Sequence, residues 1–333
     1  MSENLLEIRN LTVSVSKGKR AFPIVKGIDI DIPKGQIVGL VGESGCGKSM
    51  SAKSIMGILP KAAHVSGSIL WNDPDGTSTE LTGLKEKELR KMCGPKIGMV
   101  FQEPMTSLNP MMKIGDQVAE VLLIHKLTNS RAEARKKVIQ ILEEVGIPEA
   151  ELRYDSYPHQ LSGGMRQRVM IAMAVICEPD LLIADEPTTA LDVTIEAQIL
   201  KLIRQMCRTR NMSALVITHN MGVVSTLCDR VYVMYMGRIM ERANVSQLFK
   251  NPMHPYTRGL LSSIPRIGAN PEYLTTIPGN IPELDKETVG CEFCLRCSDD
   301  ERRCFFEKPL ETKVEEGHYV SCFNAASGSI SNE

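Results

Sequence analysis

The sequence predicts an α/β fold with a parallel sheet, an inserted helical subdomain and an irregular, cysteine-rich C-terminal extension. Three observations carry this expectation. Short apolar runs recur at 37–42, 97–101, 181–184, 214–218 and 230–236, each with the continuous hydrophobicity of a strand buried on both faces. Helical patterns alternate with them, as in layered α/β architectures. After about Met253 the text turns rich in proline and glycine, and then in cysteine, which breaks regular structure.

The first run leads into Gly42-Glu43-Ser44-Gly45-Cys46-Gly47-Lys48-Ser49, followed by Met50. This fits G-x-x-x-x-G-K-[ST] without mismatch, in the strand-to-helix context that supports it. The glycines let backbone N–H groups wrap phosphates, Lys48 supplies positive charge to the β and γ phosphates, and the Ser49 hydroxyl suits Mg2+. The second run ends at Gln102. Its amide could touch Mg2+ or an attacking water, although a lone Gln at a strand end is commonly plain polar surface.

The stretch from about 105 to 165 is more polar and reads as the inserted helical subdomain. In RAEARKKVIQILEEVG, Ala134, Val138, Ile141, Leu142 and Val145 form one apolar stripe at helical spacing, and Gly146 suits the helix end. That stripe reads as core packing. Leu161-Ser162-Gly163-Gly164-Met165 then opens a new helix with a serine and two glycines, a start that can grip an anion.

The third run closes on Asp185 and Glu186. Asp185 suits the magnesium shell, and Glu186 suits a residue that orients or deprotonates water. Alone, such a pair reads equally well as a solvated strand end. The glycine loop upstream tips the reading toward chemistry. His219 ends the fourth run, where a lone histidine is more often a structural hydrogen-bonding group than a catalytic one.

Bulk properties bound the rest. The chain has 333 residues and a formal net charge of -1, so it predicts about two domains, 1–255 and 256–333, and no nucleic-acid footprint. No apolar run approaches the ~20 residues of a membrane span, and MSENLLEIRN lacks the features of a secretory signal. A cytosolic chain, attached to a membrane only through partners, is expected. Of the ten cysteines, Cys46, Cys93, Cys177, Cys207 and Cys228 are scattered, whereas Cys291, Cys294, Cys297, Cys304 and Cys322 cluster. In a reducing compartment such clustering points to metal more than to disulfides, and the thiolates suit iron–sulfur or zinc equally well. The tail AASGSISNE is expected to be disordered.

GESGCGKS, FQEPMTSLNP, LSGGMRQRV, LLIADEPTTALD and LVITHN occur in that order. On these motifs residues 5–250 resemble the nucleotide-binding subunit of an ATP-binding cassette (ABC) transporter, a P-loop NTPase. The resemblance implies that Gly42 to Ser49, with Met50, bind ATP. It makes Gln102 a nucleotide sensor that faces a transmembrane partner. Ser162, Gly163, Gly164 and Met165 become the family signature, which serves the ATP of a partner cassette. Asp185 and Glu186 match the Walker B aspartate and the catalytic glutamate. Ala190, Leu191 and Asp192 match the dimer-contacting D-loop, and His219 matches the switch histidine at the γ-phosphate. Mg2+ is held by Ser49, Gln102 and Asp185 in this reading. Two departures stand out. Met165 replaces the usual glutamine, and Val15 stands where an aromatic ring commonly lies under adenine, with Phe22 the nearest aromatic.

HPYTRGLLSSIP, FQEPMTSLNP, LSGGMRQRVMIAMA and Gly290-Cys291-Glu292-Phe293-Cys294-Leu295-Arg296-Cys297 resemble the ATPases of dipeptide and oligopeptide importers. That resemblance implies a 4Fe–4S cluster on Cys291, Cys297, Cys304 and Cys322, with Zn2+ as the alternative and Cys294 as a thiol that could exchange in. It implies a second, related ATPase subunit as heterodimer partner, two permease subunits, and an extracytoplasmic peptide-binding protein acting indirectly. Three rivals are weighed: the same machinery carrying nickel or another metal chelate, or a peptide-like antibiotic; a non-transport cassette ATPase; and a cassette that binds ATP without hydrolysing it. Glu186 and His219 argue against the last.

Overall fold

The computed structural model describes residues 3–18, 20–73, 75–103, 107–189, 191–264, 277–280, 282 and 288–326. The chain divides into two compact units: Met1–Asp31, Val38–Thr82 and Thr218–Glu333 in the first, Ile32–Ile37 and Gly83–Ile217 in the second. Met105, Ala190, the segment 265–276 and the tail from 327 onward lie outside the described residues, and the expectations placed on them stop there.

The first unit opens with a four-stranded sheet in the order β2-β1-β4-β5. Its strands are β1 (Asn4–Lys17), β2 (Arg20–Pro33), β4 (Ala63–Asn72) and β5 (Ser78–Glu80). β1 runs antiparallel to β4 with a register shift between Arg9 and Thr12, where Asn10 takes φ 47°. Leu6, Ile8, Leu11 and Val13 of β1 are fully buried. The shift moves the buried face by one residue, so the alternation that marks a half-buried strand is interrupted in sequence.

The same unit holds β3 (Ile37–Val41), β9 (Arg230–Tyr235), β10 (Arg238–Asn244), β11 (Thr312–Glu315) and β12 (His318–Val320). β3 pairs with β9 in parallel. β9, β10, β12 and β11 then follow as antiparallel neighbours. Helix α1 (Lys48–Met56) follows β3. Helices α8 (Met221–Leu227), α9 (Val245–Lys250), α10 (Pro255–Ser262) and α11 (Phe323–Ala326) complete the unit.

The second unit is built on β6 (Ile97–Val100), β7 (Leu181–Asp185) and β8 (Ser213–Thr218). β7 pairs in parallel with both of the others. Every residue of these three strands is buried, as continuous apolar runs require. Around them lie α2 (Glu86–Met92), α3 (Ile114–Ile124), α4 (Arg131–Glu144), α5 (Ala150–Arg153), α6 (Gly163–Val175) and α7 (Val193–Thr209). Helix α4 buries the predicted stripe of Ala134, Val138, Ile141 and Leu142. Ser130 caps its start, accepting from Glu133 N, and Gly146 leaves it at φ 80°.

The parallel pairing expected from sequence is present, within sheets that are mixed overall. Parallel pairing holds for β3 with β9 and for β6, β7 and β8. β1, β4 and β5 and the β9-to-β11 edge pair antiparallel, with short or interrupted apolar patterns that do not advertise themselves.

Candidate functional site

In the first unit, the loop Gly42–Gly47 joins β3 to α1. Its glycines meet hard steric limits. A Cβ on Gly42 would stand 2.1 Å from the Met234 carbonyl oxygen and 2.9 Å from Cys46 Sγ. Gly47 adopts φ +108°, and a Cβ there would press on Ile24 O at 3.0 Å and Met234 Cε at 2.9 Å. Larger residues would push the loop off the strands that back it.

Lys48 is buried at 5% exposure. Its Nζ donates to Gly42 O at 2.7 Å and Glu43 O at 3.0 Å, which holds the ammonium within the curl of the loop. Among the described residues no side chain caps α1, and its first turn carries no acid. The leading amides and the dipole of α1 therefore favour an anion. Ser49 and Met50 are half-buried in that first turn, and Ser44 and Gly45 are exposed at the loop's crest.

The far side of this loop is held by residues to which the sequence motifs gave no role. Glu43 N donates to Tyr256 Oη at 2.9 Å. The Glu43 carboxylate takes both arms of Arg296, Nη1 to Oε2 at 2.7 Å and Nη2 to Oε1 at 3.1 Å. Arg296 Nη1 also donates to Tyr235 Oη at 3.3 Å, and its Nε donates to Pro278 O at 2.9 Å. Rings fill the space behind these contacts. Phe293 meets Tyr235 edge-on at 5.2 Å and packs on Tyr256 at 5.3 Å and His254 at 5.8 Å. The only advance signal was that Tyr256, Phe293 and Arg296 fall inside the two C-terminal motifs.

His254 Nδ1 accepts from Tyr256 N at 3.0 Å. Complete burial pushes its pKa down to about 4, so the ring is neutral, with Nδ1 as its acceptor. Glu241, itself buried, accepts from Met253 N, His254 N and His318 Nε2 at 2.8, 2.9 and 2.7 Å. These bonds fix the entry to α10 and hence the position of Tyr256.

In the second unit, β7 ends at Asp185, and Glu186 follows it directly. Asp185 is buried. Glu186 takes φ 48°, an uncommon left-handed conformation for a residue with a side chain, while its N–H still donates to Ile217 O at 2.9 Å. Two donors meet on Glu186 Oε2: Gln102 Nε2 at 3.0 Å and Thr189 Oγ1 at 2.8 Å. Gln102 and Glu186 thus come together, and Thr189 joins them without having been singled out from sequence.

Ser162 is the N-cap of α6, its Oγ accepting from Met165 N at 3.3 Å. Gly163 is exposed, and a Cβ on Gly164 would stand 2.8 Å from Ile195 Cγ2. Asp192 caps α7 by accepting from Ile195 N at 3.0 Å. Ser162 and Asp192 therefore both have local capping roles, and α6 and α7 adjoin at their N-terminal ends. His219 lies in the first unit, exposed just after β8, where Asn220 N donates to Thr218 Oγ1 at 3.0 Å.

The clustered cysteines converge in the first unit. Cys291 N donates to Cys304 O at 2.8 Å. Burial pushes the Cys291 thiol up to about 12 and the Cys297 thiol up to about 11, and neighbouring thiols add to both effects: Cys304 and Cys294 act on Cys291, Cys322 and Cys304 on Cys297. All five are free thiols. Among the described residues, no three His, Cys, Asp or Glu side chains gather closely enough to hold a metal ion. The thiols are neighbours, but among the described residues they are not gathered as the ligand set of a metal site.

Comparison with known proteins gives a consistent result. The "ABC transporter" family profile matches residues 25–189, and the "Oligopeptide/dipeptide transporter, C-terminal region" profile matches residues 240–304. The Oligopeptide transport ATP-binding protein AppD of Bacillus subtilis is 47% identical over 321 residues, covering 96% of each chain. The Oligopeptide transport ATP-binding protein OppD of Escherichia coli is 44% identical, over 97% of this chain and 94% of the relative. Among solved structures, an ATP-binding cassette in a dimeric post-hydrolysis state with ADP and Pi superposes with TM-score 0.63 at 26% identity, covering 72% of this chain and 98% of the other. With near-complete coverage by such relatives, the chain belongs to the ABC transporter ATP-binding proteins, in their oligopeptide/dipeptide group.

Proposed function

We propose that this chain is the ATP-hydrolysing subunit that energises import of dipeptides or oligopeptides through a membrane permease pair. The observation that carries the reading is the glycine-backed loop with Lys48 drawn onto its inner carbonyls. It is a cradle for the phosphates of a nucleoside triphosphate. The peptide cargo rests on the relatives, which are named as oligopeptide and dipeptide transport proteins.

In this reading the loop amides and Lys48 bind the β and γ phosphates. Ser49, Asp185 and Gln102 are the candidates to hold Mg2+, which when bound neutralises the charge that develops on the phosphates. Glu186 orients or deprotonates the attacking water, and two hydrogen bonds on its Oε2 support that assignment by fixing the carboxylate. His219 serves the γ-phosphate. Ser162 to Met165 and Asp192 serve the nucleotide of a second, related cassette, so the working unit is a heterodimer bound to two permeases at the cytoplasmic face of the membrane. An external peptide-binding protein delivers cargo.

We read residues 1–255 as the ATPase domain, with the helical stretch near 105–165 as its insertion, and 256–333 as the extension. We also read Cys291, Cys297, Cys304 and Cys322 as ligands of a 4Fe–4S cluster. The motif supports this, as does the convergence of the thiols around Cys304. Glu186→Gln in the assembled transporter tests the chemistry. ATP turnover falls about 10²-fold with nucleotide binding intact; near-normal turnover would refute the role.

A further inference from the structure

We propose that Arg296 and Tyr256 are positioning residues for the nucleotide site, acting through Glu43 on the phosphate loop. The inference rests on the reading of Gly42 to Ser49 as that loop. Three parts of Glu43 are engaged at once. Its N–H donates to Tyr256 Oη, its carboxylate pairs with both arms of Arg296, and its carbonyl receives Lys48 Nζ and Cys46 N. One residue therefore stands between the extension and the loop's cation. A two-pronged guanidinium–carboxylate pair fixes direction as well as distance. This one is protected, since the Arg296 side chain is only 5% exposed.

The geometry is costly to maintain without a purpose at the loop. A buried guanidinium must satisfy its donors, and Arg296 does so with Glu43, Tyr235 Oη and Pro278 O. An apolar residue in the same aromatic surroundings would pack without that demand. Tyr256 is fully buried, and its hydroxyl reaches a backbone amide of the loop rather than solvent. Both residues come from the C-terminal part of the chain. Arg296 lies between Cys294 and Cys297, and Phe293 of the same segment packs on Tyr256, so the thiol segment meets the loop through both positioning residues.

The test uses the full chain and a fluorescent ATP analogue with Mg2+. Arg296→Ala weakens binding about tenfold, as loss of a charged, bidentate contact implies. Arg296→Lys, which keeps the charge but not the fork, is intermediate. Tyr256→Phe weakens binding about threefold, the size of one neutral hydrogen bond. In the assembled transporter these changes raise KM for ATP more than they lower kcat. The double variant Glu43→Gln with Arg296→Ala binds no worse than Arg296→Ala alone. Lys48→Ala is the control: if it binds ATP like the parent chain, the phosphate-loop reading itself has failed. If Lys48→Ala loses binding while Arg296→Ala stays within twofold of the parent, the positioning role is overturned. Should Arg296→Ala not fold, Glu43→Gln is read in its place, and unchanged affinity there overturns the proposal equally.

Discussion

At the scale of single residues, the nucleotide loop depends on side chains that never face it. His254 is the clearest case, because its neutral ring receives Tyr256 N and so sets the hydroxyl that meets Glu43. Burial holds its pKa near 4, against an ordinary value of ~6.5. Between those values the unfolded chain takes up a proton that the folded chain refuses. Stability from this group is therefore full above pH 6.5 and is lost as pH falls toward 4, by about 3 kcal/mol in all. His318 works in the opposite sense. Burial is the largest single influence and would lower its pKa, but the hydrogen bonds and negative charges of Glu241 and Glu315 together outweigh it and raise it. Its stability is present below pH 6.5 and fades as pH rises through the raised value. Comparison with His254→Asn isolates His254, because His318 is common to both proteins. The parent's advantage in denaturant midpoint should shrink steadily from pH 7 to pH 4.5, and a pH-independent difference would contradict the assignment.

At the scale of elements, legibility followed the physics of burial. β3, β6, β7, β8 and β9 could be read from sequence because a strand covered on both faces is continuously apolar. β1 could not, because its register shift near Asn10 breaks the alternation that would have marked it. Lys48 stood out from local spacing, and Asp185 and Glu186 only in company with the glycine loop upstream. The Arg296–Glu43 pair did not, since 253 residues separate the partners and no local pattern joins them. Thr189 was missed for a different reason: its hydroxyl matters only once the backbone turns at Glu186. The cysteine element is anchored by Glu292, a buried carboxylate with Arg238 Nε at 2.8 Å, Lys308 at 3.7 Å and Lys26 at 3.9 Å. Such an anchor holds the thiol segment in place whatever it binds. After anaerobic purification the chain should carry iron and sulfide in near-equal amounts and little zinc. Stoichiometric zinc without iron would replace the cluster with a zinc site.

At the scale of the whole molecule, the run from Leu161 to Asp192 divides between two tasks. In the proposed reading, Asp185 and Glu186 act on the ATP of this chain's own phosphate loop, whereas Ser162, Gly163, Gly164 and Met165 act on the ATP of a partner cassette. A cassette alone then lacks half of each site. In the proposed mechanism, closing a pair around ATP and reopening it after hydrolysis is a two-state element biased by the γ-phosphate, and this cycle drives the permeases. The most direct measurement compares ATP turnover by the purified chain alone, by the chain with its partner cassette, and by the complete transporter with peptide and binding protein. Turnover should be weak in the first, higher in the second and peptide-stimulated in the third. An isolated chain that hydrolyses ATP as fast as the peptide-stimulated complex would contradict the shared-site mechanism.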